Sequence, residues 1–111
     1  RAAIAVYPGC TPVTKHFGIV YRSYAPLLLL IGTEDEEVSF RNCEKLARSA
    51  AGEQVTFVRY QGATHSYDTP TAKRRAVDAN VAAAADTRLR AEEFFGKLAI
   101  APPVASPPKG R

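Results

Sequence analysis

The stretch PLLLLIGTED occupies residues 26–35, and its apolar part places four leucines and an isoleucine in succession, Leu27–Ile31. An uninterrupted apolar run of this length is typical of a parallel β-strand that is covered on both faces. Gly32 ends the run, and three polar residues follow it. We therefore expect a central strand over Pro26–Gly32, with further strands beside it and helices over both of its faces.

Two further segments have the composition of strands, one before and one after the central strand in sequence. Ala2–Tyr7, AAIAVY, stops at Pro8 and Gly9, a pair of residues that marks a turn. Val55–Tyr60, VTFVRY, is rich in β-branched and aromatic residues and is closely followed by Gly62. Because strands alternate with predicted helices, the order favours an α/β fold with about three parallel strands.

The first predicted helix lies between the second and third strands. Ser39 is a suitable N-cap for a helix over Phe40–Ala51, and Gly52 is a suitable stop. The residues expected on its inward face are Cys43, Leu46 and Ala50.

The second predicted helix covers about Asn80 to Leu98 and includes alanines 82–85, which favour helix strongly. Its apolar residues that fall roughly on one stripe are Val81, Ala85, Leu89, Phe95 and Leu98. Residues 101–111 hold four of the eight prolines, and we expect them to form a disordered tail. A single domain is therefore predicted over residues 1–100.

Composition and charge exclude several classes of protein. The 111 residues are 46% hydrophobic and carry a net charge of +4, from 15 basic and 11 acidic side chains. The longest apolar run, Ala25–Ile31, is far shorter than the roughly 20 residues that cross a bilayer. The basic residues are dispersed, and the only tight basic run, Lys73–Arg75, is too short to indicate a nucleic acid site. We therefore expect neither a membrane nor a nucleic acid as a partner.

A carboxylate and an imidazole follow two of the predicted strands. Asp35 comes shortly after the central strand, and His65 comes shortly after the last one. Because the carboxyl ends of parallel strands open on the same edge of a sheet, the two side chains could meet there. A serine or cysteine nucleophile needs such a base, with a carboxylate on the other ring nitrogen. Glu34 and Glu36 are the alternative partners of His65, and a solvated acidic loop without a metal is the plainer interpretation of residues 34–37.

Three segments resemble the dienelactone hydrolase family. Gly32–Asp35 resembles the G-x-x-D that follows the penultimate core strand of α/β-hydrolases. Tyr60–Asp68, YQGATHSYD, resembles the family's Y-x-G-A-x-H-x-F-D and is the most specific match, although Tyr67 replaces the commoner phenylalanine. Tyr7–Cys10 is similar to the family's segment after the preceding strand. The likeness extends from Ala2 to about residue 98.

The resemblance implies a fold, an activity and two site residues. The chain would form the C-terminal part of an α/β-hydrolase, with Asp35 as the acid and His65 as the base of a catalytic triad. The implied reaction is acyl transfer on a small-molecule ester or lactone, with no metal and no organic cofactor. A small α/β binding or interaction module without chemistry is the alternative function.

The nucleophile of such a triad is not evident in the sequence. A nucleophile elbow has the form G-x-[SC]-x-G, because its turn leaves no room for larger side chains, and this pattern does not occur in the 111 residues. Cys10 precedes Asp35 and His65 in the required order, but Pro8 and Pro12 stand where the elbow needs small residues. We therefore expect the nucleophile, and the missing N-terminal part of the domain, to lie upstream.

The two cysteines allow one disulfide. Segments that follow neighbouring strands can approach each other, and exported members of the resembled family carry cysteine at both places, so a Cys10–Cys43 bridge is expected. The alternative is a pair of reduced, buried thiols. The protein would be periplasmic or secreted if the bridge forms, and cytoplasmic otherwise.

Two other polar residues receive more modest predictions. His16 has no strand context and no predicted partner, so we expect an ordinary surface residue. Asp68 lies three residues after His65 and is expected to cap a turn or to help orient the histidine loop.

Overall fold

The computed structural model describes residues 2–12, 22–52 and 54–100 of the chain. Its main sheet has three parallel strands in the order β1 (Ala3–Val6), β3 (Leu27–Gly32) and β5 (Val55–Tyr60), which confirms the predicted α/β class with about three parallel strands. The strands in chain order are β1 Ala3–Val6, β2 Arg22–Ser23, β3 Leu27–Gly32, β4 Ala51–Gly52 and β5 Val55–Tyr60. The two-residue strands β2 and β4 pair with each other in a small separate ladder.

The central strand β3 contributes Leu28, Leu29, Leu30 and Ile31 to the core of the molecule. Residues 28–31 are each at most 3% exposed, as expected for a strand with a neighbour on either side and side chains packed on both faces. The register pairs Leu27 with Val55 and Gly32 with Tyr60, so β3 and β5 end side by side. The loops that follow these two strands therefore start next to each other.

Helix α1, Phe40–Arg48, covers one face of the sheet. Ser39 caps it as predicted, since its hydroxyl accepts a hydrogen bond from the Asn42 amide at 3.0 Å. Cys43 and Leu46 are buried as predicted, against Leu29 and Ile31, whereas Ala50 lies beyond the helix. The prediction that the helix continues to residue 51 was wrong, because that residue and the next pair with β2 instead.

Two helices follow the last strand. A single turn, α2, covers Ala72–Arg75 and was not predicted, and α3 covers Asp78–Ile100, two residues longer at each end than predicted. The predicted apolar stripe of α3 is not its buried face, since Leu89 is 64% exposed and Val81 and Phe95 are also exposed. Among the described side chains of α3, those of Asn80 and Ala83 are buried instead, because a small alanine allows close approach and the amide finds hydrogen-bond partners.

Several predictions concern residues that the structure does not describe. The structure does not describe residues 13–21, which include His16, or residues 101–111. The side chain of Leu98 is not described either. The domain boundary at residue 100 and the surface position of His16 therefore stay predictions. In the described ranges, no helix is both long enough and apolar enough to cross a membrane.

Candidate active site

The acid loop, Thr33–Val38, is held against the end of β5 by main-chain hydrogen bonds. The Thr33 amide donates to the Tyr60 carbonyl at 3.0 Å, and the Glu34 amide donates to the Ala63 carbonyl at 3.0 Å. The Asp35 side chain is fully buried, and its Oδ1 accepts hydrogen bonds from the amides of residues 37 and 38 at 2.9 and 2.8 Å. These bonds satisfy one carboxylate oxygen and fix the direction of the other.

The base loop, Gln61–Asp68, lies directly on the acid loop. Gly62 has a φ of +84°, a left-handed conformation that favours glycine, and its amide donates to the Thr33 hydroxyl at 2.9 Å. A Cβ at Gly32 would overlap the main-chain carbonyl of Ala63. Gly32 and Gly62, the glycines of the two sequence motifs, therefore both allow the two loops to pack in direct contact.

The contact between the loops brings the two predicted site residues together. His65 Nδ1 lies 2.9 Å from Asp35 Oδ2, and the His65 side chain is 16% exposed. Since the carboxylate accepts a hydrogen bond, Nδ1 carries the proton and Nε2 keeps its lone pair in the neutral imidazole. Nε2 lies 3.9 Å from a carboxylate oxygen of Glu37. The ring contact is made by Asp35, whereas Glu36 accepts a hydrogen bond from the His65 main-chain amide at 3.2 Å.

An aromatic side chain that directly follows β1 packs against the imidazole. The Tyr7 ring meets the His65 ring edge-on, with centroids 4.6 Å apart, and its hydroxyl donates to Asp68 at 2.7 Å. Burial and then the neighbouring carboxylate of Asp68 raise the pKa of Tyr7 above its ordinary value. Tyr7 has a φ of +38°, which is uncommon for a bulky residue and indicates strain at this point of the site. Asp68 therefore accepts a hydrogen bond from Tyr7, and its predicted roles in capping a turn or orienting the histidine loop stay predictions.

Four residues support the main chain around His65 by hydrogen bonds: Glu36, Thr64, Arg74 and Asn80. The last three had no predicted role in the site. Asn80 is fully buried and accepts from the Thr64 amide at 2.9 Å. Arg74 donates both to the Thr64 hydroxyl at 2.9 Å and to Glu36 at 3.0 Å. No sequence pattern marks Thr64, Arg74 and Asn80 as site residues, because only the folding of the segment between β5 and α3 brings their side chains together.

A second polar network fastens α3 to the end of β5. The Tyr60 hydroxyl donates to Asp86 at 2.8 Å, Arg90 donates to the same Asp86 oxygen at 2.6 Å, and Tyr67 shares a hydrogen bond with Thr87 at 2.7 Å. Burial raises the pKa of Tyr60 to about 12, and burial also raises that of Tyr67. The hydrogen bond from Arg90 lowers the pKa of Asp86. These hydrogen bonds hold Tyr67, and with it the base loop, against α3.

The two cysteines form a disulfide, as predicted. Cys10 and Cys43 are bridged, with Cα atoms 5.0 Å apart, and both are buried with Leu29, Ile31 and Leu46. A bridged sulfur has no free thiolate, so Cys10 does not act as the nucleophile in this state. The bridge ties the segment after β1 to the helix that follows the acid loop.

The parallel sheet, with a carboxylate and an imidazole beyond the carboxyl ends of adjacent strands, is consistent with the fold of an α/β-hydrolase. The family model described as the dienelactone hydrolase family matches residues 1–99, and the chain belongs to that family. No curated protein and no solved structure matches the chain. Within the described ranges, no group of three or more histidine, cysteine or acidic side chains converges as a metal site would require.

Proposed function

We propose that the chain supplies the acid and the base of a hydrolase of the dienelactone hydrolase type that acts on a small-molecule ester or lactone. Family membership supports the hydrolase class. The observation that carries the finer proposal is the 2.9 Å contact between His65 Nδ1 and the fully buried Asp35 carboxylate. A general base must have its second ring nitrogen free for the nucleophile, and this contact leaves Nε2 in that role.

The proposed reaction is acyl transfer in two steps. His65 Nε2 takes the proton of a serine or cysteine as that residue attacks the ester carbonyl, and Asp35 stabilises the imidazolium that forms. The imidazolium then protonates the leaving alkoxide and an acyl-enzyme is left; the resulting alcohol departs when the substrate is an ester and stays attached to the acyl group when it is a lactone. A water molecule attacks the acyl group while His65 accepts its proton, and the imidazolium returns that proton to the oxygen or sulfur of the nucleophile as the acid is released.

We propose that the nucleophile comes from outside these 111 residues. The sequence contains no G-x-[SC]-x-G, and Cys10 is engaged in the disulfide. The isolated chain is therefore expected to be inactive, with the rest of the domain as its structural partner. Sustained hydrolysis of an activated ester by the 111-residue chain, abolished by His65→Ala, would overturn this part of the proposal.

The test uses the product of the complete open reading frame that encodes the chain, assayed with aryl esters and with lactones. His65→Ala should lower kcat by a factor of about 10⁴ to 10⁶, because the nucleophile loses its base. His16→Ala is the matched control, since it removes the other histidine of the chain, and it should leave the rate unchanged. Wild-type hydrolysis that survives His65→Ala, or no hydrolysis of any ester or lactone, would favour a non-catalytic module.

The disulfide supports a proposal about location. Bridges between buried cysteines form and persist in oxidising compartments and are rare in the reducing cytosol. We propose that the protein functions in the periplasm or outside the cell, where a small ester or lactone is its substrate. Both cysteines escaping alkylation in protein taken from its native compartment would agree with this location, and free thiols would contradict it.

A further inference from the structure

We propose that Glu36 and Arg74 are positioning residues that hold the main chain of His65, an inference that rests on the proposed role of His65 as the base. With Thr64 and Asn80 they form the histidine clamp, a chain of hydrogen bonds from the acid loop through α2 to α3. Two members of the clamp form hydrogen bonds with the main chain of His65: Glu36 accepts from its amide at 3.2 Å, and the Thr64 hydroxyl donates to its carbonyl at 3.3 Å.

The clamp begins with two adjacent carboxylates that bind one histidine. Asp35 bonds to the ring at Nδ1, and Glu36 bonds to the main-chain amide at 3.2 Å. The first bond orients the imidazole about its side-chain torsions, and the second fixes the Cα from which those torsions start. Because both carboxylates belong to the acid loop, a shift of the base loop away from the acid loop breaks both bonds together.

Arg74 fixes the carboxylate that performs the main-chain contact. Its Nη1 lies 3.0 Å from one Glu36 oxygen while the other oxygen faces His65, so both ends of the carboxylate are engaged. The hydrogen bond from the His65 amide, aided by Arg74, lowers the pKa of Glu36. The Arg74 side chain is 17% exposed and that of Glu36 is 49% exposed, so solvent screens this pair in part.

Asn80 anchors the other end of the clamp. Its side-chain oxygen accepts from the Thr64 amide at 2.9 Å, and its amide group donates to the Thr64 hydroxyl at 3.0 Å and to the Arg74 carbonyl at 3.1 Å. Asn80 is fully buried, so the loss of any one bond would leave a polar atom without a partner. The residue before His65 is thereby fastened to α3 through both its main chain and its side chain.

The position of the clamp explains why it should affect catalysis. The amides of Thr64 and His65 are both held, and the next residue, Ser66, has a φ of +55°, which is uncommon for a residue other than glycine. Displacing a catalytic group by about 1 Å can lower a rate by a factor on the order of 10². The clamp should therefore act on kcat through the position of Nε2 while leaving substrate affinity unaffected.

Glu36→Ala and Glu34→Ala form the matched pair for the test, made in the product of the complete open reading frame. The Glu34 side chain forms no hydrogen bond or ion pair with the described part of the chain. Glu36→Ala should lower kcat by a factor of roughly 10 to 100 with little change in KM, and Glu34→Ala should match wild type. Glu36→Gln, which keeps an acceptor oxygen for the His65 amide, should restore part of the loss.

Arg74→Ala and Arg75→Ala form a second pair, since Arg75 pairs with no carboxylate in the ranges that the structure covers. The second readout is the proton NMR signal of the His65 Nδ1–H, which a hydrogen bond to a carboxylate moves far downfield. The signal should weaken or broaden in Glu36→Ala and Arg74→Ala, persist in Glu34→Ala and Arg75→Ala, and vanish in Asp35→Asn.

The outcomes separate this inference from the proposed function. If wild type hydrolyses esters and Glu36→Ala equals Glu34→Ala in both kcat and the Nδ1–H signal, the clamp does not position His65 and the inference fails alone. If wild type hydrolyses no ester or lactone, the proposed function fails, and the Nδ1–H signal still decides whether Glu36 holds the histidine. A loss in Glu36→Ala that Glu36→Gln does not relieve at all would also contradict the inference.

Discussion

At the scale of single residues, the site depends on close contact between two loops. Gly32 and Gly62 permit that contact, one by the absence of a Cβ and the other by a left-handed conformation. Asp35 and His65 were predicted from their places after two strands, and the structure brings them within hydrogen-bond distance. The roles of Arg74 and Asn80 could not be predicted, because the sequence does not show whether an asparagine is buried or whether an arginine is paired with a carboxylate.

A substitution at Gly32 tests this contact. Gly32→Ala should lower the free energy of unfolding by about 1 to 3 kcal/mol, because the new methyl overlaps the Ala63 carbonyl and forces the loops apart. Gly96→Ala is the control, since nothing lies within 4 Å of a Cβ there and the position is helical, so that change should stabilise the protein by up to about 1 kcal/mol. Urea unfolding measures both. Equal stability of Gly32→Ala and wild type would contradict the close approach.

At the scale of elements, the strands were the easiest to predict and the helix faces the hardest. The run at 26–32 is apolar throughout, and such a run is typical of a strand that is buried on both faces. The buried face of α3 was not predictable from its apolar residues, because it uses an asparagine and an alanine to reach the base loop. Likewise α1 ends early because the residues after it pair with β2, a contact distant in sequence.

The disulfide links the segment after β1 to α1, and its loss should lower the stability of the fold. The double substitution Cys10→Ser, Cys43→Ser opens a loop with a sequence separation of 33 residues, which should cost about 3 to 4 kcal/mol through the entropy of the unfolded chain. Thermal unfolding with and without a reductant measures the effect. A melting temperature that responds neither to the double substitution nor to reduction under denaturing conditions would contradict a bridge that stabilises the fold.

The docking of α3 on β5 should make the protein sensitive to alkali. In the unfolded chain tyrosines ionise near pH 10, whereas burial raises the pKa of Tyr60 to about 12 in the native state. Between these values the unfolded state binds fewer protons than the native state, so the free energy of unfolding falls as pH rises. Tyr60→Phe should make this fall shallower.

Tyr24→Phe is the control for the pH dependence, because Tyr24 is 85% exposed. Urea unfolding between about pH 9 and pH 12 should give parallel curves for Tyr24→Phe and wild type, and a flatter curve for Tyr60→Phe. A Tyr60→Phe curve with the same slope as wild type would show that the buried hydroxyl does not govern alkaline unfolding.

At the scale of the whole molecule, a small parallel sheet brings together loops that lie 30 residues apart in sequence. The two loops converge because β3 and β5 are neighbours in register and end together. This arrangement follows from sequence alone once both runs are recognised as parallel strands. The outward stripe on α3, with Leu89 and Phe95 exposed, did not follow from sequence, since apolar residues normally predict the buried face.

The proposed hydrolase function depends on Asp35 and His65 acting as one unit, and a double-mutant cycle in the ester hydrolysis assay tests this most directly. Asp35→Asn offers the ring an amide donor in place of a carboxylate and so favours the wrong tautomer, which should lower kcat by a factor on the order of 10⁴. Combined with His65→Ala, it should cost little more than His65→Ala alone, because groups that act together are strongly non-additive. Losses that simply multiply in the double variant, or an Asp35→Asn enzyme as fast as wild type, would contradict the paired acid and base.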